Sequence, residues 1–198
     1  VSYFSRFGFV PSEPPMAYVL TRDHSALLVP RLELEHAHEF ALVDDLQSYP
    51  EYPGLRHPME FLKDILVDRG LSAAKIGVDS DGYGRIYGYR GPSVSTPLPE
   101  AEVISVIDDI EYMQMINTEE ELALIRESAR WGNLAHALLQ EYCEVGVPET
   151  EISARASFEA SKTMLKALGP EYRAHGYGRS GAYAGFRGQI GKASALPH

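Results

Sequence analysis

TEEELALIRESARWGNLAHALLQEY, residues 118–142, is the stretch of this sequence that most clearly predicts one long helix. Thr118 can cap the first free backbone N–H groups, and Glu121, three residues later, can reach back to complete a capping box. Beyond the cap, apolar residues recur at spacings of three, four and seven, which predicts one buried stripe. The stripe consists of Leu124, Trp131, Ala135, Leu138 and Tyr142. The character of the sequence changes at this helix, so we predict that it joins two structural regions.

The charge of the chain limits its partners. Net charge is −10, from 28 acidic and 18 basic residues, and the basic residues form no block. A surface that binds nucleic acid needs clustered Lys and Arg, so nucleic acid is excluded as a partner. No apolar run approaches the roughly 20 residues of a membrane span, and residues 1–15 lack the features of a signal peptide. We therefore expect no membrane partner and predict a cytoplasmic protein.

Cys143 is the only cysteine of the chain. One cysteine allows neither an intrachain disulfide nor a cysteine zinc site. Because it lies near the end of the predicted long helix, we interpret it as a small apolar core residue.

The region before the long helix has the pattern of an α/β domain. Apolar runs at residues 16–21 and 26–29 flank a polar tetrapeptide with turn chemistry, which predicts a β-hairpin. Residues 31–39 favour a helix, and Pro58 begins another that ends at Gly70. The buried stripe of that second helix is predicted to be Met59, Leu62, Ile65 and Leu66. Residues 75–78 predict a buried strand, so we expect an α/β domain with a mixed sheet.

A second amphipathic helix follows the long one. The break at Gly146-Val147-Pro148 separates the two, and the second helix is predicted from Thr150 to the stop at Gly169-Pro170. Two helices joined in this way predict an αα-hairpin. The inner face of the second helix is predicted to consist of Ala154, Phe158, Leu165 and Leu168.

Three motifs suggest ligand sites but lack their structural context. GYGRSG at residues 176–181 matches the dinucleotide fingerprint, yet a helix precedes it and none follows, so its glycines are better explained by close backbone approach or a cleft wall. DSDG at residues 79–82 begins like a calcium loop, but the later acidic ligand and the flanking helices are missing. His36 and His38 do not share a helix face, which favours a solvated helix over a metal site. The residues alone therefore predict no complete catalytic centre.

Five segments, in order along the chain, carry a resemblance to a known family. They are residues 2–7 (SYFSRF), 23–33 (DHSALLVPRLE), 115–126 (MINTEEELALIR), 146–151 (GVPETE) and 195–198 (ALPH). The sequence resembles the pita-bread metallopeptidases, which include aminopeptidase P, prolidase and creatinase. It departs from the family pattern at Arg6, where glycine is usual, and at Met113 and Asn117, where Arg and Lys are usual.

The resemblance implies a fold in two parts. Residues 1–116 would form an α/β, mixed-sheet, creatinase-type (ribonuclease-H-like) N-terminal domain. Residues 117–198 would form the incomplete start of a pita-bread α+β catalytic domain, with its first helices. The chain opens on Val1 rather than Met, so we expect it to be a fragment. Much of the sheet that covers these helices in the family would then be missing, and we expect exposed apolar surface on them.

The resemblance also implies a function for the complete protein. It would be a metal-dependent Xaa-Pro peptidase acting on a proline-containing dipeptide or short peptide, and a homodimer. Its two divalent ions (manganese, cobalt or zinc) would be held by two Asp, one His and two Glu, all beyond His198, so we expect no metal site in this chain. His198 would be a catalytic residue that binds substrate or shuttles a proton. A creatinase-like amidinohydrolase that works without metal, and a non-catalytic dimerisation or binding module, remain alternatives.

Overall fold

The computed structural model describes residues 1–9, 14–50, 55–82, 91–169, 181–186 and 191. The chain divides into two compact units, Val1–Met115 and Ile116–His198. No helix in the described part of the chain combines the length and the apolar character needed to cross a membrane.

Unit 1 contains five strands and four helices among its described residues. In chain order they are α1 Ser2–Ser5, β1 Ala17–Leu20, β2 Ser25–Pro30, a 3-10 turn Arg31–Glu33 continuing into α2 Leu34–Phe40, β3 Asp45–Tyr49, α3 Pro58–Asp68, β4 Lys75–Val78, β5 Glu102–Ser105 and α4 Ile107–Met115. The described helices of unit 2 are α5 Glu119–Glu141 and α6 Glu149–Leu168.

The principal sheet of unit 1 is mixed, as the sequence predicted. β1 and β2 form the predicted antiparallel hairpin, with Leu20 opposite Ser25, and the Thr21 N–H donates to the His24 carbonyl at 2.9 Å across the turn. β3 pairs in parallel with β2, giving the order β1-β2-β3. A second, two-stranded sheet joins β4 and β5 in parallel.

The central strand β2 is buried on both faces because its side chains alternate between two cores. Ala26 and Leu28 belong to a cluster with α3, and Leu27 and Val29 belong to a cluster with Phe7 and α2. The sheet therefore lies between two layers of helix. This arrangement is typical of an α/β domain.

The helix α3 matches its prediction closely. Pro58 occupies the first turn, and the Met59 N–H donates to Nδ1 of His57 at 3.1 Å, which caps the helix. The predicted stripe is confirmed, since all four of its residues are buried. The chain leaves the helix through Gly70, whose φ of 70° is the left-handed conformation that glycine adopts without strain.

The prediction of a buried strand at residues 75–78 is wrong in one respect. The strand exists as β4, but its residues alternate between exposed and half-buried. Ile76 and Val78 pack against the α3 cluster, while Lys75 and Gly77 lie on the open face. A two-stranded sheet that packs on one side only buries every second residue.

The predicted capping box of α5 is confirmed. The Glu121 N–H donates to Oγ1 of Thr118 at 3.2 Å, and the Thr118 N–H donates to Oε2 of Glu121 at 2.7 Å. Trp131 and Ala135 are buried against α6 as expected. Leu124, however, is 70% exposed, because the buried positions of α5 begin only at Trp131, two turns further on.

The inner face predicted for α6 is also wrong. The buried row consists of Ile152, Ala156, Ala160 and Met164. Phe158 is 65% exposed and Leu165 is 43% exposed, while Ala154 is also exposed and Leu168 is half-buried. The row with two alanines faces α5 because small side chains allow helices to approach closely. The larger apolar residues Phe158 and Leu165 therefore point away from α5 and are exposed.

The interpretation of Cys143 as a core residue is wrong, because its side chain is exposed and its thiol is free. Cys143 follows Tyr142, the residue that ends α5. It therefore lies beyond the part of the helix that packs on α6.

Candidate functional site

Residues 182–186 lie along α6 and are held there by three serines at four-residue spacing. The hydroxyl of Ser161 donates to the Ala182 carbonyl at 3.1 Å, and the hydroxyl of Ser157 donates to the Ala184 carbonyl at 3.0 Å. Oγ of Ser153 accepts from the Phe186 N–H at 3.0 Å. We call Ser153, Ser157 and Ser161 the serine ladder. It bonds every second residue of the segment, which is the pattern of an extended chain.

Gly181 and Gly185 allow residues 181–186 to approach the helix closely. A Cβ on Gly181 would collide with Oγ of Ser161. A Cβ on Gly185 would lie 2.7 Å from Oη of Tyr183 and 3.1 Å from Cβ of Ser153. For Gly181, the interpretation of the glycines as points of close approach is confirmed. The remainder of that motif, residues 176–180, lies outside the described residues.

Beside the serine ladder, an open groove of about 500 Å³ runs between α6 and residues 181–186. Its apolar wall is formed by Phe158 and Leu165, which are both exposed. Nζ of Lys162 lies 5.9 Å from the centroid of the Phe158 ring. The full lining is Ser157, Phe158, Ser161, Lys162, Leu165, Gly181, Ala182 and Tyr183. We call this feature the α6 groove.

Among the described residues that line the α6 groove there is no histidine. His198 lies outside the described residues, so its catalytic role stays a prediction. The segment that the serine ladder fixes precedes His198 by twelve residues.

A metal centre is not formed by the described residues. Within residues 1–9, 14–50, 55–82, 91–169, 181–186 and 191, no three His, Cys, Asp or Glu side chains come together in a way that could hold an ion. The described donor groups thus do not fit the two divalent ions that the resemblance implies.

Two of the motifs considered from sequence have structural roles. The carboxylate of Asp81 accepts from the Ser95 N–H at 3.0 Å and from the Ser95 hydroxyl at 2.7 Å. Nδ1 of His36 lies 3.1 Å from Oε2 of Glu33, and its ring centroid lies 4.9 Å from that of Phe7. His36 therefore packs against an aromatic ring while its side chain stays 41% exposed, and Glu35, His38 and Glu39 of the same helix are exposed as a solvated helix predicts.

One polar cluster was not anticipated from sequence. Oδ2 of Asp44 accepts from both the N–H and the hydroxyl of Ser25 at 2.7 Å, and Nδ1 of His24 lies 3.7 Å from the same oxygen. The side-chain and then the backbone hydrogen bond from Ser25 lower the pKa of Asp44. Because the Ser25 hydroxyl bonds the carboxylate and not the imidazole, the cluster is not a nucleophilic triad. The cluster links the start of β2 to the start of β3. Ser25 and Asp44 are 19 residues apart, so no local pattern in the sequence indicated their contact.

Comparisons with known proteins place this geometry in context. No family model matches the chain. A creatinase from Bacillus sp. (strain B-0618) is 28% identical over 111 residues, which is 56% of this chain and 25% of that protein. The chain thus spans a quarter of the length of the curated relative.

Solved structures match more of the chain. The X-Pro aminopeptidase from Thermotoga maritima MSB8 has a TM-score of 0.59 at 17% identity, over 82% of this chain and 42% of its own. The Xaa-Pro dipeptidase from Bacillus anthracis has a TM-score of 0.58 at 16% identity, over 88% and 43%. The prolidase from Pyrococcus horikoshii OT3 has a TM-score of 0.57 at 22% identity, over 94% and 49%. The resemblance of this chain to the pita-bread peptidases is therefore confirmed for the fold, which matches the N-terminal domains of the prolidase and X-Pro aminopeptidase structures.

Proposed function

We propose that the complete protein is a metal-dependent Xaa-Pro peptidase that hydrolyses the bond before a proline. The observation that carries this proposal is the fold match to structures of an X-Pro aminopeptidase and a prolidase over most of this chain. The chain spans less than half of each of those structures, so the match supports the fold and the activity is proposed.

The roles proposed for this chain are positional. Unit 1 would shape the access of a proline-containing dipeptide or short peptide. In unit 2, the serine ladder would fix residues 182–186 against α6. His198 would bind the substrate or carry a proton. No residue of the described chain is assigned to the metal ions, since the described residues form no site for them.

The test is an assay of the complete protein with manganese or cobalt on a Xaa-Pro dipeptide. The control substrate is the same dipeptide with alanine in place of proline. We expect metal-dependent cleavage that prefers the proline substrate, and a large loss of kcat in the His198→Ala variant with its fold unchanged by circular dichroism. Absence of cleavage at every metal tested would refute the proposal.

A creatinase-like amidinohydrolase is the second candidate, because the sequence match is to a creatinase. The same preparation, treated with a chelator, would then hydrolyse creatine and leave the dipeptides intact. A protein without either activity would support the third possibility, a binding or dimerisation module. Calorimetric titration with manganese would test that possibility, since such a module needs no tight metal site.

A further inference from the structure

The α6 groove has the size and the wall composition of a site for a small ligand. Its volume of about 500 Å³ lies within the range of pockets that bind small molecules. Phe158 and Tyr183 contribute two aromatic rings to its lining, and Leu165 contributes aliphatic surface. All three side chains are exposed. The part of a ligand that these walls would contact is therefore apolar, and an aromatic ring suits them best.

Charge is segregated along α6, and the groove lies towards its cationic end. Residues 160–168 contain Lys162 and Lys166 and no acidic residue, whereas the acidic residues of α6 all precede position 160. The two lysines are four residues apart and so share one side of the helix. Neither forms an ion pair with a residue that the structure describes. Salt screens charges beyond about 8 Å, so an anion beside Lys162 meets these lysines more than the net negative charge of the chain.

The serine ladder adds hydrogen-bond acceptors to the groove. The hydroxyls of Ser157 and Ser161 each donate their single hydrogen, to the carbonyls of Ala184 and Ala182. Both serines line the groove, and their oxygens keep lone pairs that can only accept from a ligand. The groove thus combines apolar walls, a cation and acceptors for an N–H group.

We propose that the α6 groove binds the C-terminal residue of a peptide that ends in an aromatic side chain. One such residue carries all three complementary groups: a ring for Phe158 and Tyr183, a carboxylate for Lys162, and an amide N–H for a serine oxygen. A fatty acid has the carboxylate and the apolar body but lacks the N–H. The proposal concerns unit 2 alone and does not depend on the peptidase activity proposed above.

The experiment is a titration of the ¹⁵N-labelled full chain, followed by two-dimensional NMR, with the peptide N-acetyl-Ala-Phe. We expect saturable shifts of the amide resonances of Phe158, Lys162 and Ala182, with a Kd of about 0.1–1 mM. The control ligand is the same peptide with a C-terminal amide in place of the carboxylate. We expect it to bind about 5-fold more weakly, because an exposed ion pair contributes little more than this factor.

Variants of exposed residues test which side chain reads which group. Lys162→Gln should weaken binding of the carboxylate peptide by about 5-fold and leave binding of the amide peptide unchanged. Phe158→Ala should weaken both ligands by about 10-fold, because it removes the ring contact. Lys75→Gln is the matched control, since it removes one positive charge from unit 1 and should change neither affinity.

The remaining outcomes each overturn the proposal. Equal binding of the two peptides, or an equal effect of Lys162→Gln on both, would show that the groove does not recognise a carboxylate. Shifts confined to other parts of the chain, or no saturable shift, would show that the peptide does not bind there. Decanoate tests the lipid source of the same anion, and tighter binding of decanoate than of the peptide would assign the groove to a fatty acid.

Discussion

Replacing Ser157 with alanine isolates the contribution of the serine ladder. The Ser157 hydroxyl donates to the Ala184 carbonyl at 3.0 Å, and Ala184 is 3% exposed, so water cannot readily replace the lost donor. A hydrogen bond of this kind contributes about 1 kcal/mol net. Alanine also has a higher helix propensity than serine, which returns about 0.5 kcal/mol to α6. We therefore expect the whole unit to lose about 0.5 kcal/mol of unfolding free energy, while residues 182–186 detach more easily by about 1 kcal/mol.

Amide hydrogen exchange measures this local effect. The Phe186 N–H donates to Oγ of Ser153, so it exchanges when the segment leaves α6. A loss of about 1 kcal/mol in docking predicts exchange of this amide that is about 5-fold faster in Ser157→Ala. Amides in the middle of α6 should change far less, because their exchange follows the opening of the helix.

Thr163→Ala is the matched control. Oγ1 of Thr163 donates to the Glu159 carbonyl at 2.8 Å, and this residue is exposed on the same helix. The control therefore removes a hydroxyl from α6 and raises helix propensity without touching residues 182–186. Equal exchange rates of the Phe186 amide in the two variants would refute the role assigned to the ladder.

Three other predictions follow from the contacts of single residues. Thr118→Ala removes one bond of the capping box and should lower the unfolding free energy in urea by about 1 kcal/mol, whereas Thr118→Ser should retain it. Ala160→Leu should cost about 1–3 kcal/mol in the same assay, because Ala160 is fully buried between α5 and α6, while Ala154→Leu on the exposed side should change it by less than about 0.5 kcal/mol. Burial lowers the pKa of His57 in the folded chain, and a smaller effect of Glu60 opposes this shift. As pH falls, the unfolded chain therefore binds the proton before the folded chain does. The contribution of His57 to stability is therefore complete above about pH 6.5 and is lost as pH falls through the pKa of the folded chain. The variant His57→Asn keeps a helix cap and should flatten this part of the Tm–pH profile.

Local chemistry explains the parts of the fold that the sequence predicted correctly. The hairpin of β1 and β2 needs only two apolar runs and a polar turn, and α3 needs only Pro58, a four-residue stripe and Gly70. The capping box at Thr118 is a pairing of two residues three apart. Each of these signals lies within 14 consecutive residues, so no tertiary partner has to be known.

The errors occur where a tertiary partner decides the outcome. α6 has two apolar rows, and the row with the larger side chains was predicted to be buried. Close packing on α5 selects the alanine row instead, and this cannot be deduced from α6 alone. Leu124 and Cys143 were misplaced for the same reason, because the buried residues of α5 lie only between Trp131 and Leu139 in the part of the chain that the structure describes.

The serine ladder was missed because serines on a helix ordinarily indicate a solvated face. Three serines at four-residue spacing beside a buried row, followed by a glycine-rich segment, are the signal that would have predicted it. The role of His198 and the metal ions could be deduced only from the resemblance, and both stay predictions.

The serine ladder has a limited length, because the rise per residue differs between a helix and an extended chain. Serines one step apart on α6 rise by about 6.0 Å, whereas alternate residues of an extended chain advance by about 6.7 Å. The two rows therefore drift apart by about 0.7 Å at each step, and by about 1.4 Å between the first rung and the third. A fourth rung would add about 0.7 Å more to this offset. The row contains no fourth serine, since the next positions at four-residue spacing are Glu149 and Leu165. A helix can thus set the register of about five residues of neighbouring chain, and any longer strand must take its alignment from another strand.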